Sequence, residues 1–155
     1  MKDLKAALVG TKTKSSRDHV AGDLQQAIPL IVQQGDKQLQ DKKYPDAVKT
    51  YEQAIRGYML LAEANGKQQM DPAADRVMHA ANEAANQAGA SDMMFRLLND
   101  VLTVDPESKT ANMELAHVYL RRNPPDYDTA ADLQERAGAP DSEVKELRAK
   151  AKHHR

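Results

Sequence analysis

Two pairs of ionisable residues stand at helical spacing: His79 and Glu83 are four apart, and Glu114 and His117 are three apart. On a helix, those spacings put both members of a pair on one face. The second pair has the Glu-x-x-His spacing used by di-iron bundles, whose sites need two such motifs and two further carboxylates on facing helices. One such motif occurs here, so both pairs read as polar residues on solvated helix faces, with no metal and no cofactor expected. His153 and His154 stand in a basic terminus and read as tail residues. With no cysteine in the chain, a disulfide, a thiolate zinc cluster and a thiol nucleophile are all excluded. The phosphate-binding, nucleophile-elbow and zinc-protease motifs G-x-G-x-x-G, G-x-x-x-x-G-K-[ST], G-x-S-x-G and H-E-x-x-H are missing as well. The chain is not expected to be an enzyme.

The 155 residues make one domain or a short array of small repeats. With 22 basic and 23 acidic side chains the net charge is −1, which argues against nucleic acid as a partner. The longest run of large apolar residues is about Tyr58 to Ala62, so no transmembrane segment is expected. Met1 to Gly10 is too short and too charged for a secretory signal, and a soluble, cytoplasmic protein is expected. The charge is uneven. Residues 1–19 and 143–155 each carry five basic and two acidic side chains, and residues 20–142 carry twelve and nineteen. Gly10–Arg17 has no apolar residue and cannot bury enough surface to offset the entropy of ordering, so residues 1–19 read as a mobile basic leader.

From Asp23 onward, apolar residues recur at helical spacing without strand-like alternation. Proline, glycine and asparagine breakers divide the chain into helices predicted at 23–42, 46–64, 72–88, 91–104, 107–122, 128–137 and 141–153. Asp71, Asp105 and Asp141, each beside a proline, are predicted N-capping carboxylates. The clearest stripe is Ala47, Val48, Tyr51, Ala54, Ile55, Tyr58, Met59 and Ala62, where small alanines admit a neighbouring helix and the tyrosines fill the gaps. Met94, Leu97, Leu98, Val101 and Leu102 repeat the stripe, and the alanine-rich 72–88 suits burial between two neighbours. Met59, Met78 and Met94 are expected in the core, Met113 less securely.

The stretch Gly35 to Ile55, with Tyr44-Pro45-Asp46-Ala47-Val48-x-x-Tyr51-x-x-Ala54 inside it, resembles the tetratricopeptide repeat (TPR), a helix hairpin of about 34 residues. With Ala47 on position 20, Gly35 falls on the small position 8, Tyr51 on the aromatic 24 and Ala54 on 27, giving a unit at 28–61. Val101 to Pro106 resembles a unit ending and registers a second unit at 75–108; a third follows at 109–142, with Ala116 on position 8. The third needs an insertion around Asn123-Pro124-Pro125 before Ala130 or Ala131 can take position 20. Residues 62–74 are either an overrun of the second helix or a loop over Asn65–Asp71. The first two helices also resemble the microtubule-interacting-and-transport module, whose third helix would close a bundle. The further helices downstream favour the repeat stack.

The resemblance implies an all-α, right-handed superhelical stack of about three hairpins over 20–142, with a capping helix and basic tail at 143–155. It implies a non-catalytic interaction module, an adaptor, chaperone or assembly factor, holding a peptide or helix of another protein in a concave groove. Carried onto this chain, the groove positions are Pro29, Val32, Asp36, Leu39 and Gln40, then Arg76, His79, Glu83, Asn86 and Gln87, then Thr110, Met113, His117, Leu120 and Arg121. The co-chaperone branch uses cations and an Asn at positions that here read Val32, Asp36, Thr110 and Glu114, so no clamp for a C-terminal carboxylate is expected. The alternative reading is a self-assembling scaffold whose basic ends dock on the acidic body of a neighbour, so a homo-oligomer is compatible with the sequence.

Overall fold

The computed structural model describes residues 14–153, and among these all regular structure is helical. Seven helices follow in order: α1 (Lys14–Gln40), α2 (Tyr44–Ala64), α3 (Ala73–Ala88), α4 (Ser91–Val104), α5 (Lys109–Leu120), α6 (Tyr127–Arg136) and α7 (Asp141–His153). Six of them lie within two residues of their predicted spans. The exception is α1, which begins nine residues before its predicted start at Asp23. Residues 14–19, expected in the leader, are therefore helical; 1–13, and the tail residues His154 and Arg155, lie outside the described residues. The early start has a packing reason. Val20, Ala21, Leu24 and Ile28 are buried, so the N-terminal half of α1 has its own apolar contacts and the helix propagates outward from them.

Each helix packs on the next in the chain, and α3 also packs on α5, and α2 on α4. This alternation makes a stack of hairpins in which α1, α3 and α5 are the first helices of successive units. A three-helix bundle closed by α3 is not formed: α3 packs against α2, α4 and α5, and reaches α1 through an Asp36–Arg76 ion pair. One apolar cluster runs through the stack, from Val20 in α1 through Tyr51 in α2 and Leu98 in α4 to Leu147 in α7. In the alanine-rich α3, Ala74, Ala80, Ala81, Ala84 and Ala85 are all buried, which lets neighbours approach on more than one side. Met78 and Met94 are fully buried, and Met59 and Met113 half-buried.

Of the two readings of 62–74, both hold in part. Helix α2 overruns its unit to Ala64, and a loop then runs to α3 at Ala73. That loop is pinned: the Met70 side chain is buried, and its backbone N–H donates to Asp105 Oδ2 at 3.0 Å. This contact corrects the predicted cap. Asp105 is turned away from α5, whose N-terminus is capped instead by Ser108, whose hydroxyl accepts from the Ala111 N–H at 3.1 Å. Asp71 stands one residue before Pro72, the N-cap of α3, and accepts from the Ala73 N–H at 2.9 Å, and Asp126 caps α6 through the Thr129 N–H at 3.1 Å. Helix α3 ends at Gly89 (φ 68°), a left-handed conformation that glycine adopts without penalty.

The small residue on position 8 of the first unit has a visible cause. A Cβ on Gly35 would stand 2.7 and 2.8 Å from Cε1 and Cδ1 of Tyr51. The ring cannot give way freely, because its hydroxyl donates to Asp36 Oδ1 at 2.6 Å. Gly35→Ala is thus expected to destabilise the chain by about 1–3 kcal/mol through overpacking, although alanine is the better helix former by about 1 kcal/mol. Urea unfolding checks this: the substitution should lower the midpoint in the wild type and raise it once Tyr51 is also replaced by alanine.

Candidate functional site

The first helices gather Asp36, Arg76, His79, Glu83, His117 and Arg121 of the expected groove residues into two polar clusters. In the first, Arg76 on α3 donates through both terminal nitrogens to the two Asp36 oxygens on α1, at 3.2 and 3.1 Å, while Tyr51 donates to the same carboxylate. Burial pushes the Asp36 carboxyl up, but bonds from Arg76 and Tyr51 outweigh it and leave it below its ordinary value. Burial first, then the Asp36 carboxylate, raise the Tyr51 phenol. The bond from Asp36 raises Arg76 in turn. This unit stays charged at neutral pH and ties the first hairpin to the second.

The second cluster bridges α3 and α5. The two halves of the helical-spacing pairs, separate in sequence, meet here. His79 Nδ1 lies 3.2 Å from both Glu114 oxygens, and its Nε2 lies 3.0 Å from Glu83 Oε1. His117 Nδ1 is 3.7 Å from Glu114 Oε2. Asn82 donates to the Glu114 carbonyl at 3.1 Å and to its carboxylate at 3.0 Å, and accepts from Arg121. Burial lowers Arg121 and the nearby Glu114 partly restores it. Around this cluster is a pocket of about 260 Å³, lined by His79, Asn82, Glu83, Glu114, Leu120 and Arg121 among others. Both His79 nitrogens face carboxylates, so the arrangement is a network of side-chain hydrogen bonds. Among the described residues no group of His, Asp and Glu has the geometry to hold a metal ion.

The remaining groove positions divide. Pro29, Gln40, Asn86 and Gln87 are exposed; Thr110 and Met113 are half-buried beside a neighbouring pocket shared with Asp75, His79 and Lys109. Leu39 is half-buried against the core. Val32 is a correction: at 7% exposed it belongs to the core and offers nothing to a ligand. Two residues central to the second cluster were not among the expected groove set. Glu114 sits one place away from a groove position, and Asn82 falls on position 8 of the second unit. Where Gly35 admits a tyrosine and Ala116 is simply buried, Asn82 uses the space to reach across to α5. An amide at a position reserved for small side chains was the available signal.

The architecture has a counterpart among solved structures. The chain superposes on the crystal structure of the P58(IPK) TPR domain with a TM-score of 0.52 and 18% sequence identity, over 98% of this chain and 40% of that one. The fold is TPR-like. At that identity the likeness speaks for architecture alone, and the chain spans well under half the length of the matched structure. No family model matches the sequence, and no curated protein matches it. In the TPR-like frame, α1, α3 and α5 are the first helices of three units and α7 follows as the closing helix. The buried face of α7 is Val144, Leu147 and Ala151, and its outward basic residues include Arg148, paired with Asp132 and Glu135. No described helix is long and apolar enough to cross a membrane.

Proposed function

We propose that the chain is a non-catalytic protein-interaction module that holds a peptide or helix of another protein along α1, α3 and α5, as an adaptor, chaperone or assembly factor would. One observation carries this reading: the first-helix face brings the exposed side chains of His79, Glu83 and Arg121 together around a pocket, with Arg76 exposed on the same helix beside them. Mixed charge, amides and isolated apolar residues such as Leu120 suit hydrogen bonding to an extended or helical segment. The partner's terminus is not a carboxylate held by cations, because Asp36 and Glu114 stand where such a clamp needs positive charge. A reducing, cytoplasmic setting fits a chain without cysteine.

The test is affinity capture with wild type and with a variant carrying Arg76→Ala, Glu83→Ala and Arg121→Ala, with helicity checked by circular dichroism. A central hot-spot residue costs about 2 kcal/mol or more on truncation, and arginines are favoured in that role, so the triple variant should bind its partner at least about tenfold more weakly. A partner that binds both forms equally does not use this face. A synthetic peptide with an acidic C-terminus should show no low-micromolar binding to the wild type.

A further inference from the structure

A neutral imidazole has one N–H donor and one acceptor lone pair. His79 has a carboxylate on each side: Glu114 on α5 at Nδ1, 3.2 Å away, and Glu83 on its own helix at Nε2, 3.0 Å away. Ionised carboxylates only accept, so the neutral ring satisfies one of them and turns a lone pair on the other. Only the imidazolium donates to both. Among the described residues, the inner carboxylate has only the Asn82 amide beside this ring as a donor, and with the Glu114 side chain 6% exposed water cannot substitute freely, whereas Glu83 is 59% exposed. The contact with Glu114 also joins two hairpins 35 residues apart in sequence.

We propose that His79, clamped between Glu83 and Glu114, is a protonation-dependent latch that fastens the second hairpin to the third across the first-helix face. Taking up a proton completes both hydrogen bonds and ties α3 to α5. Losing it turns one contact repulsive and loosens the joint beside the pocket. The charged groups around the ring are consistent with this. On α3, Asp75 shares the neighbouring pocket with His79, and Arg76 is engaged by Asp36. From α5 come Glu114, His117 3.7 Å from the same carboxylate, Lys109 in the neighbouring pocket and Arg121, which is bonded to Asn82. Among the described residues, the electrostatic partners of the ring itself are Glu114 and Glu83 alone. The bond to Glu114 raises His79 above its ordinary value, and burial opposes this only in part. A raised folded-state value means that the stabilising contribution is fully present below the unfolded value of 6.5 and disappears as pH rises through the folded one.

The latch goes beyond the interaction reading and stands whether or not the face takes a peptide, so its test uses the full chain without a partner. NMR titration of the His79 ring is run in wild type, Glu83→Gln and Glu114→Gln, with urea midpoints recorded across the same pH range for wild type and His79→Gln. Glu83 is exposed, so its variant keeps the test informative even if Glu114→Gln fails to fold. The expected result is a wild-type midpoint above 6.5 that falls in Glu83→Gln. The urea midpoint of wild type should decline relative to His79→Gln as pH passes that point. A wild-type ring titrating at or below 6.5, a value unmoved by Glu83→Gln, or parallel pH profiles for wild type and His79→Gln would each overturn the proposal.

Discussion

Tyr51→Ala is expected to destabilise the chain by about 3–5 kcal/mol, the range for deleting a buried aromatic ring from a packed core. The ring is fully buried and is the largest side chain in the core with less than 2% exposure. Three losses coincide at this position. The ring leaves a cavity against Gly35, whose missing Cβ exists to admit it. Asp36 loses the donor at 2.6 Å and keeps only Arg76. Helix α1 loses the residue against which its C-terminal part rests at Gly35. Domains of this kind hold about 5–15 kcal/mol in total, so the variant should lose a large share of the chain's stability. Tyr51→Phe separates the terms: it keeps the ring and removes the hydrogen bond. Its cost should stay within the 1.5–3 kcal/mol typical of bonds to charged groups. Urea unfolding followed by circular dichroism measures both, and a Tyr51→Ala cost under 1 kcal/mol would mean that α1 does not pack on this ring.

Leu98→Ala is the second large effect, with an expected cost of about 2–5 kcal/mol. Leu98 is fully buried on α4, in the same apolar cluster as Tyr51 and Met78. Because α4 touches both α3 and α2, the cavity would open where the first two hairpins meet. A surface substitution on the same helix, Asn99→Ala, should change stability by only about 0.5 kcal/mol or less. Its amide does no more than fold back to the Phe95 carbonyl at 2.7 Å on the exposed side. The contrast between neighbouring positions, measured by the same unfolding curves, tests whether the stripe faces the core as described.

Which features could be read from the sequence depended on the range of the interaction behind them. Helix α2 was legible because its stripe is local: Ala47, Tyr51, Ala54 and Tyr58 announce a buried face by spacing alone, and all four are buried. The pairing of Gly35 with Tyr51 was legible as a repeat signature, since both fall on registered positions of one unit. The start of α1 was not, because residues 14–19 carry little apolar signal and become helical through contacts made further along. Asp105 could have capped α5 by its position beside Pro106, yet Ser108 competes for the same role. The contest is decided by Met70, 35 residues away. The candidate site failed in the same manner. His79 with Glu83, and Glu114 with His117, were each visible as helical pairs, but their union depends on how far α5 slides along α3. No local pattern encodes that offset, and Asn82, which helps to fix it, sits where a small residue was expected.

The claim beneath all of this is that the hairpins share one interior. Native-state hydrogen exchange on Leu98→Ala against wild type tests it most directly, with the amides of α2 around Tyr51 as the readout. A shared interior predicts that protection falls in α2 as well as in α4. Protection lost in α4 while α2 keeps its wild-type rates would contradict it, and would mean that the two hairpins fold as separate bodies.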